Sequence, residues 1–288
     1  MVGMLVDVAA TLRGHGLELA GASTAAVSIL EQRTGRLVAR AETLVGPVVV
    51  KASGDADAFA EEVTALARLS AEGLPVADVL GVGAGPPAYL LLSWTEGQPL
   101  RASTPMPAQR TVGEVLRRVH SIAPEPTDLG WGDATWEGWM AGWLNSAIGW
   151  WSTVDPPGEE RVRRIWAWYH DLAPLLATRG RELILYDGRP DHIRVRDGSQ
   201  VGLIDVAAIR LGDAAMDLGV LAVSEPGILP GVLAGYRPDA DEQAAFARLV
   251  PFYTLLRRVT RAQWDQQHGT GDELKAALIQ LADAEVPT

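Results

Sequence analysis

The sequence predicts an α+β fold in which a small antiparallel sheet precedes a mostly helical remainder. Residues 25–52 alternate short apolar runs with tight turns, the signature of hairpin-joined strands. Across 111–122 and 136–143 the apolar residues recur instead at helical spacing, and 212–223, 239–264 and 272–283 also read as helical. No repeat, low-complexity stretch or interdomain linker interrupts the chain. Its 288 residues, 48% of them hydrophobic, suffice for a packed core in one large or two modest domains.

Composition excludes several function classes. A net charge of -11 argues against a nucleic-acid partner, which selects basic faces. Solubility accounts for that charge more simply than matching to a cationic ligand. There are no cysteines, so a metal would have to be held by carboxylates, imidazoles or carbonyls. The N-terminus has no basic start leading into a long apolar run, and no later apolar stretch approaches 18 residues. The expectation is a soluble, cytoplasmic protein without a membrane partner.

In chain order, a short helix is expected to end near Gly14 or Gly16. Strands over 25–32, 37–43 and 48–53 are separated by turns at Arg33-Thr34-Gly35-Arg36 and Val45-Gly46-Pro47. Of 25 lysines and arginines only Lys51 and Lys275 are lysines, and Lys51 ends an apolar strand, where a compact ammonium suits phosphate oxygens better than a guanidinium fork. Residues 55–70 form the next helix, with Phe59, Val63, Leu66 and Leu69 apolar and acids at Glu61 and Glu62. A buried strand at 89–93 gives way to a polar turn ending at Gly97. A proline-containing loop over 101–110 leads into a helix with a stripe of Val112, Val115, Leu116, Val119 and Ile122. Eight of the ten tryptophans lie between Trp131 and Trp168, and Trp136, Trp139 and Trp143 share one helical face. So many indole N–H groups suggest that part of this block lines a cleft.

The chemistry concentrates in residues 181–221, RELILYDGRPDHIRVRDGSQVGLIDVAAIRLGDAAMDLGVL. A strand over 183–185 leads into an acidic turn, a short strand follows, an Asp197-Gly198 turn reverses the chain, and a strand over 201–204 ends on Asp205. Two hairpin-joined strands would thus each present one carboxylate, Asp187 and Asp205, with His192 five residues after the first. Phosphoryl transfer needs this kind of layout, one carboxylate to orient a hydroxyl and another to hold the metal that screens the phosphates.

The segment LILYDGRPDHIRV resembles the catalytic loop of the aminoglycoside phosphotransferase and fructosamine kinase family, where His-Gly-Asp is followed five residues on by Asn. LIDVAAIRLGDAAMDLG resembles the family's metal-binding motif, including Gly212, Asp213 and Asp217. The resemblance implies a protein-kinase-like two-lobed α+β fold, with residues 1–95 as a sheet-based N-lobe and 96–288 as a helical C-lobe. It implies Asp187 as catalytic base, and Asp205 and His192 as metal ligands. Lys51 would position phosphates and Glu62 would pair with it. Arg33, Thr34 and Gly35 would form the turn over the nucleotide, and the backbones of Ser93 and Thr95 would contact its base. Asp213 would brace the catalytic loop, and His120 would be structural. Leu185 and Tyr186 stand where the family has His and Gly, and His192 stands where it has Asn; an imidazole favours softer ions than Mg²⁺.

The function so implied is an O-phosphotransferase using ATP or GTP with Mg²⁺ or Mn²⁺ on a hydroxylated small molecule. An antibiotic or related secondary metabolite leads, and a fructosamine or other sugar amine is second. No activation segment separates Asp205 from Asp213, which disfavours peptide substrates. The alternatives are a catalytically degenerate nucleotide-binding or interaction protein of the same fold and a metal-dependent hydrolase using Asp187, His192 and Asp205.

Overall fold

The computed structural model describes residues 7–125, 128, 130–132, 134–197 and 199–287. Gly198, half of the expected Asp197-Gly198 turn, lies outside them. In chain order the elements are α1 (Val8–Gly14), α2 (Ser23–Ala26), β1 (Val27–Arg33), β2 (Arg36–Thr43), β3 (Gly46–Ser53), α3 (Ala60–Ala71), β4 (Val79–Gly83), β5 (Ala88–Ser93) and β6 (Gln98–Pro99). Next come α4 (Met106–His120), α5 (Trp136–Val154), α6 (Glu159–Leu176), β7 (Glu182–Ile184), β8 (Ile193–Arg196), β9 (Gln200–Leu203) and β10 (Arg210–Gly212). The chain closes with α7 (Ala214–Ser224), α8 (Leu229–Tyr236), α9 (Ala240–His268) and α10 (Gly271–Ala282). Two compact units result, Met1–Pro99 with His192–Ala208 and Leu100–Asp191 with Ile209–Thr288.

The first unit holds a five-stranded sheet in the order β1-β2-β3-β5-β4, every pairing antiparallel. Leu90, Leu91 and Leu92 of β5 are all buried, as expected of a strand covered on both faces. On one face Leu12 of α1 packs with Ala41, Val48, Val50 and Leu91. The turn expected at Val45-Gly46-Pro47 falls one residue earlier. Gly46, at φ 121°, already begins β3, Pro47 lies opposite Glu42, and the Thr43 hydroxyl donates to the Gly46 carbonyl (2.6 Å). In α3 the buried residues are Glu62, Ala65, Leu66 and Leu69, so Glu62 lies on the apolar stripe and Glu61 outside it. A second sheet, β6-β8-β9, completes the unit.

Among the described residues, the strands of the otherwise mostly helical second unit are a two-stranded ladder in which β7 pairs with β10, Leu183 opposite Leu211. The strand before Asp187 is therefore not hairpin-joined to the strand that ends at Asp205. The backbone turns sharply after Leu185, with the Asp187 amide bonded to the Leu185 carbonyl (2.7 Å), and β8 pairs with β9 and β6 instead. The loop expected over 101–110 is shorter, because α4 begins at Met106 and Pro107 occupies its first turn, where a missing N–H costs nothing. Helices α4 and α8 approach closely at two glycines: a Cβ on Gly113 would strike the Val232 carbonyl, and one on Gly235 the Arg110 carbonyl. Among the described residues no helix is long and apolar enough to cross a membrane.

Candidate active site

Lys51 is the buried hub of the first unit. It is 6% exposed on β3, and its Nζ donates to Glu62 Oε1 at 2.6 Å and to Asp205 Oδ1 at 2.9 Å. Glu62 reaches it because the 62-65-66-69 stripe turns that carboxylate inward. The β8–β9 hairpin delivers the other partner. Ile193 pairs with Leu203, so His192 and Ile204 leave the open end side by side, with the Ile204 amide bonded to the His192 carbonyl (2.9 Å). One residue on, Asp205 adopts φ 56°, left-handed backbone that costs a non-glycine residue roughly 1–2 kcal/mol. Burial pushes the Asp205 carboxyl up, but the charge and hydrogen bond of Lys51, aided by His192 and Arg36, prevail and hold it below the usual carboxylate range.

Asp205 Oδ2 faces His192 Nε2 at 3.6 Å. Among the described residues no group of three or more His, Asp or Glu side chains could by itself hold a metal ion. Two donors from the protein suit a divalent cation that takes its remaining ligands from phosphates and water. Of the two residues expected to contact the base, Ser93 has its amide already engaged. The Ser93 amide donates to the Asp78 carbonyl (2.9 Å) while its hydroxyl accepts from the Asp78 amide (2.8 Å), and the Thr95 methyl fills the space beside Gly202. Arg33, Thr34 and Gly35 form the exposed β1–β2 turn, with Gly35 at φ 77° and Arg33 paired with Glu31 (2.9 Å).

In the second unit, Asp187 sits on a loop tied down by Asp217 of α7. The Asp217 carboxylate is 1% exposed and accepts from the Leu185 amide, the Tyr186 amide (2.8 Å each) and His120 Nε2 (3.0 Å). A carboxylate only accepts, so His120 donates through Nε2 and its Nδ1 faces the Tyr236 hydroxyl (3.1 Å). Asp213, expected to brace this loop, instead caps α7. It is fully buried and accepts from the Ala215 amide (3.0 Å), Arg179 (2.8 Å) and the Tyr253 hydroxyl (2.7 Å). Burial, then the Asp213 charge, push the Tyr253 hydroxyl well above its ordinary value, so it remains a donor.

Tyr186 occupies the position where the resemblance expects glycine, and its φ of 62° is the left-handed conformation glycine adopts without penalty. The guanidiniums of Arg210 and Arg257 lie over its ring at 4.3 and 5.1 Å, and the rings of Trp131 and Trp143 are each 6.3 Å away. The buried stripe of α5 is Trp136, Met140, Leu144, Ala147 and Trp151, which leaves Trp139 and Trp143 half-buried at its edge. Of the tryptophan block, Trp136 and Trp151 are core and Trp131 and Trp143 stand around Tyr186, while Trp150 bonds Gln266 (2.8 Å) and Trp168 packs on Phe252. Asp187 Oδ1 lies 3.2 Å from Arg189 and 3.4 Å from Arg257. Beside it opens a cavity of about 150 Å³ between the loop, α7 and α9.

Sequence reasoning missed Asp217 and Arg257. Asp217 was visible inside the quoted motif, yet which of the two aspartates points at the loop depends on where α7 begins. Arg257 carries no signal, being one of many arginines on a helix more than sixty residues downstream.

A family model described as the phosphotransferase enzyme family, APH, matches residues 19–252. The chain belongs to this family. No curated protein matches it. Among solved structures, this phosphotransferase-family enzyme is similar to a macrolide 2'-phosphotransferase type I, at 19% identity and a TM-score of 0.68, with 96% of each chain covered. It is also similar to an aminoglycoside phosphotransferase in complex with GDP and kanamycin (14%, TM-score 0.68, 90% of this chain and 92% of the other). A third is a fructosamine-3-kinase homologue from Thermobifida fusca YX-ER1 (21%, TM-score 0.65, 95% and 99%). At these identities the likeness establishes the fold, which is protein-kinase-like α+β.

Proposed function

We propose that this enzyme transfers the terminal phosphoryl group of ATP or GTP to a hydroxyl of a small molecule, an antibiotic or related secondary metabolite ahead of a sugar amine. The observation that carries the proposal is Lys51 Nζ bonded at once to Glu62 and Asp205. A buried ammonium held between two carboxylates is a preset phosphate-binding charge, and a core that needed only stability would be served as well by apolar residues.

Asp187 accepts or orients the hydroxyl proton of the acceptor as the new O–P bond forms. Lys51 binds phosphate oxygens, and Glu62 fixes its position. Asp205, with His192 beside it, would hold the divalent cation, which when bound screens the charge of the phosphates. Thr95 would offer backbone groups to the base, Ser93 would do so only outside its amide, which Asp78 holds, and the turn at Arg33, Thr34 and Gly35 would lie over the phosphates. Of the structures similar to this chain, one holds GDP with kanamycin and another ADP.

A degenerate nucleotide-binding protein is the second reading, favoured by Tyr186 in a glycine conformation and His192 in place of Asn. Incubation with γ-labelled ATP and GTP, divalent cations and a broad panel of hydroxylated acceptors separates the two. Label transferred to an acceptor supports the kinase; nucleotide binding without transfer to any acceptor supports its rival.

A further inference from the structure

The cavity beside Asp187 has a charge at odds with the rest of the chain. Val220 and Val223 of α7 and Trp264 of α9 give it apolar walls, while Arg257 and Arg261, one turn apart on α9, join Arg189 in lining it. Three guanidiniums and one carboxylate, Asp187, therefore line it, and with Asp265 behind Arg261 counted the surroundings still carry an excess of one positive charge in a protein whose net charge is -11. Arg261 is held from behind, its Nε bonded to both oxygens of buried Asp265 at 2.8 Å. The Arg257 side chain is 11% exposed, and its pairing with Asp187 is long, at 3.4 Å. Cations placed this way suit a ligand anion, because a guanidinium fork matches a carboxylate or phosphate with two parallel hydrogen bonds. A polycationic acceptor would meet like charge at the same wall.

We infer that the acceptor carries an anionic group near the hydroxyl it presents to Asp187, bound by Arg257 and Arg261, with an apolar portion against Val220, Val223 and Trp264. The inference rests on the phosphotransferase reading and narrows its acceptor. At about 150 Å³ the cavity is smaller than the roughly 300–1,000 Å³ typical of drug-sized sites, so it takes a small hydroxy acid or the acidic corner of a larger molecule. The reaction class is transfer of the γ-phosphoryl group to the hydroxyl oxygen, with the hydroxyl proton passing to Asp187 and the nucleoside diphosphate leaving.

The test compares glycerate, mandelate and 3-phenyllactate with their methyl esters and with kanamycin. Binding is measured by calorimetry on the full chain, and transfer by nucleoside diphosphate release with ATP and Mg²⁺. At least one acid should bind roughly 10- to 100-fold more tightly than its ester, the range expected of charge-assisted hydrogen bonds. Arg257→Gln should abolish the difference, and Arg257→Lys should retain part of it. The comparison of acid with ester in the unmodified protein keeps the test decisive if a variant fails to fold. Acid-selective binding with no transfer to any acceptor would uphold the anion site and remove the kinase reading. Transfer to an ester or to kanamycin with kcat/KM equal to or above that for the acids would overturn the anion site and leave the kinase reading intact. Acids and esters bound equally, or neither bound, would also overturn it.

Discussion

The Asp217 carboxylate holds the Tyr186 amide at 2.8 Å, and with it the left-handed backbone that sets Asp187 in place. Removing the acceptor strands the buried Leu185 amide, the part-buried Tyr186 amide and His120 at once, each costing up to about 1–3 kcal/mol if left unmet. Asp217→Ala should therefore lower the thermal midpoint and reduce turnover at least tenfold, while nucleotide affinity, which the proposal assigns to Lys51 and its partners, changes little. Melting curves, nucleotide titration and acceptor turnover on the same preparation check this. Full turnover in a folded Asp217→Ala protein contradicts the bracing role.

The Lys51–Glu62 pair is buried on both sides, at 8% and 3% side-chain exposure. Removing Lys51 leaves the Glu62 carboxylate unpaired in the core, so Lys51→Met should cost about 3–5 kcal/mol in urea unfolding; Glu62→Leu should cost less, because Asp205 still holds the ammonium at 2.9 Å, and the double variant should recover much of the Lys51→Met loss. Nucleotide binding should be weak in all three. Lys51→Arg should stay impaired, since a fork does not replace a point charge. Nucleotide affinity of Lys51→Arg equal to that of the natural protein would remove Lys51 from the phosphate site.

Asp205 gives a pH signature of definite sign. Its folded-state pKa lies below the unfolded value because Lys51 outweighs the effect of burial. The stabilisation it contributes is complete above the unfolded carboxyl value of about 4 and disappears as pH falls through the folded one. The stability difference between the natural protein and Asp205→Asn should thus be present at pH 7 and shrink on acidification below pH 4, as read by denaturant unfolding across that range. A difference that grew on acidification would refute the Lys51–Asp205 coupling.

With an imidazole 3.6 Å from Asp205, the metal preference should lean toward Mn²⁺ or Co²⁺ relative to Mg²⁺. His192→Asn restores an oxygen donor and should move the ranking back toward Mg²⁺. Turnover with each ion for both proteins provides the check. An identical ranking in the two would exclude ligation by His192.

Much of this was legible in the sequence for physical reasons. Lys51 stood out because the chain otherwise uses arginine, and the Glu62 stripe follows from helix periodicity. The Asp187 and Asp205 stretches were readable because turn residues and short strands punctuate them. The pairing of β7 with β10 was not, since three-residue strands carry too few side chains to specify a partner. Nor was the engagement of Ser93 with Asp78, or the gathering of Arg189, Arg257 and Arg261 around one cavity, which depends on how α7 and α9 pack.

The most direct test of the central claim is label transfer from γ-labelled nucleotide to an acceptor by the natural protein and by Asp187→Asn, with nucleotide affinity measured alongside. Loss of the general base should cut turnover by about 10²- to 10⁴-fold and leave nucleotide affinity nearly unchanged. Transfer at the same rate by both proteins would contradict the assignment of Asp187, and with it the account of this enzyme as a phosphotransferase working through that carboxylate.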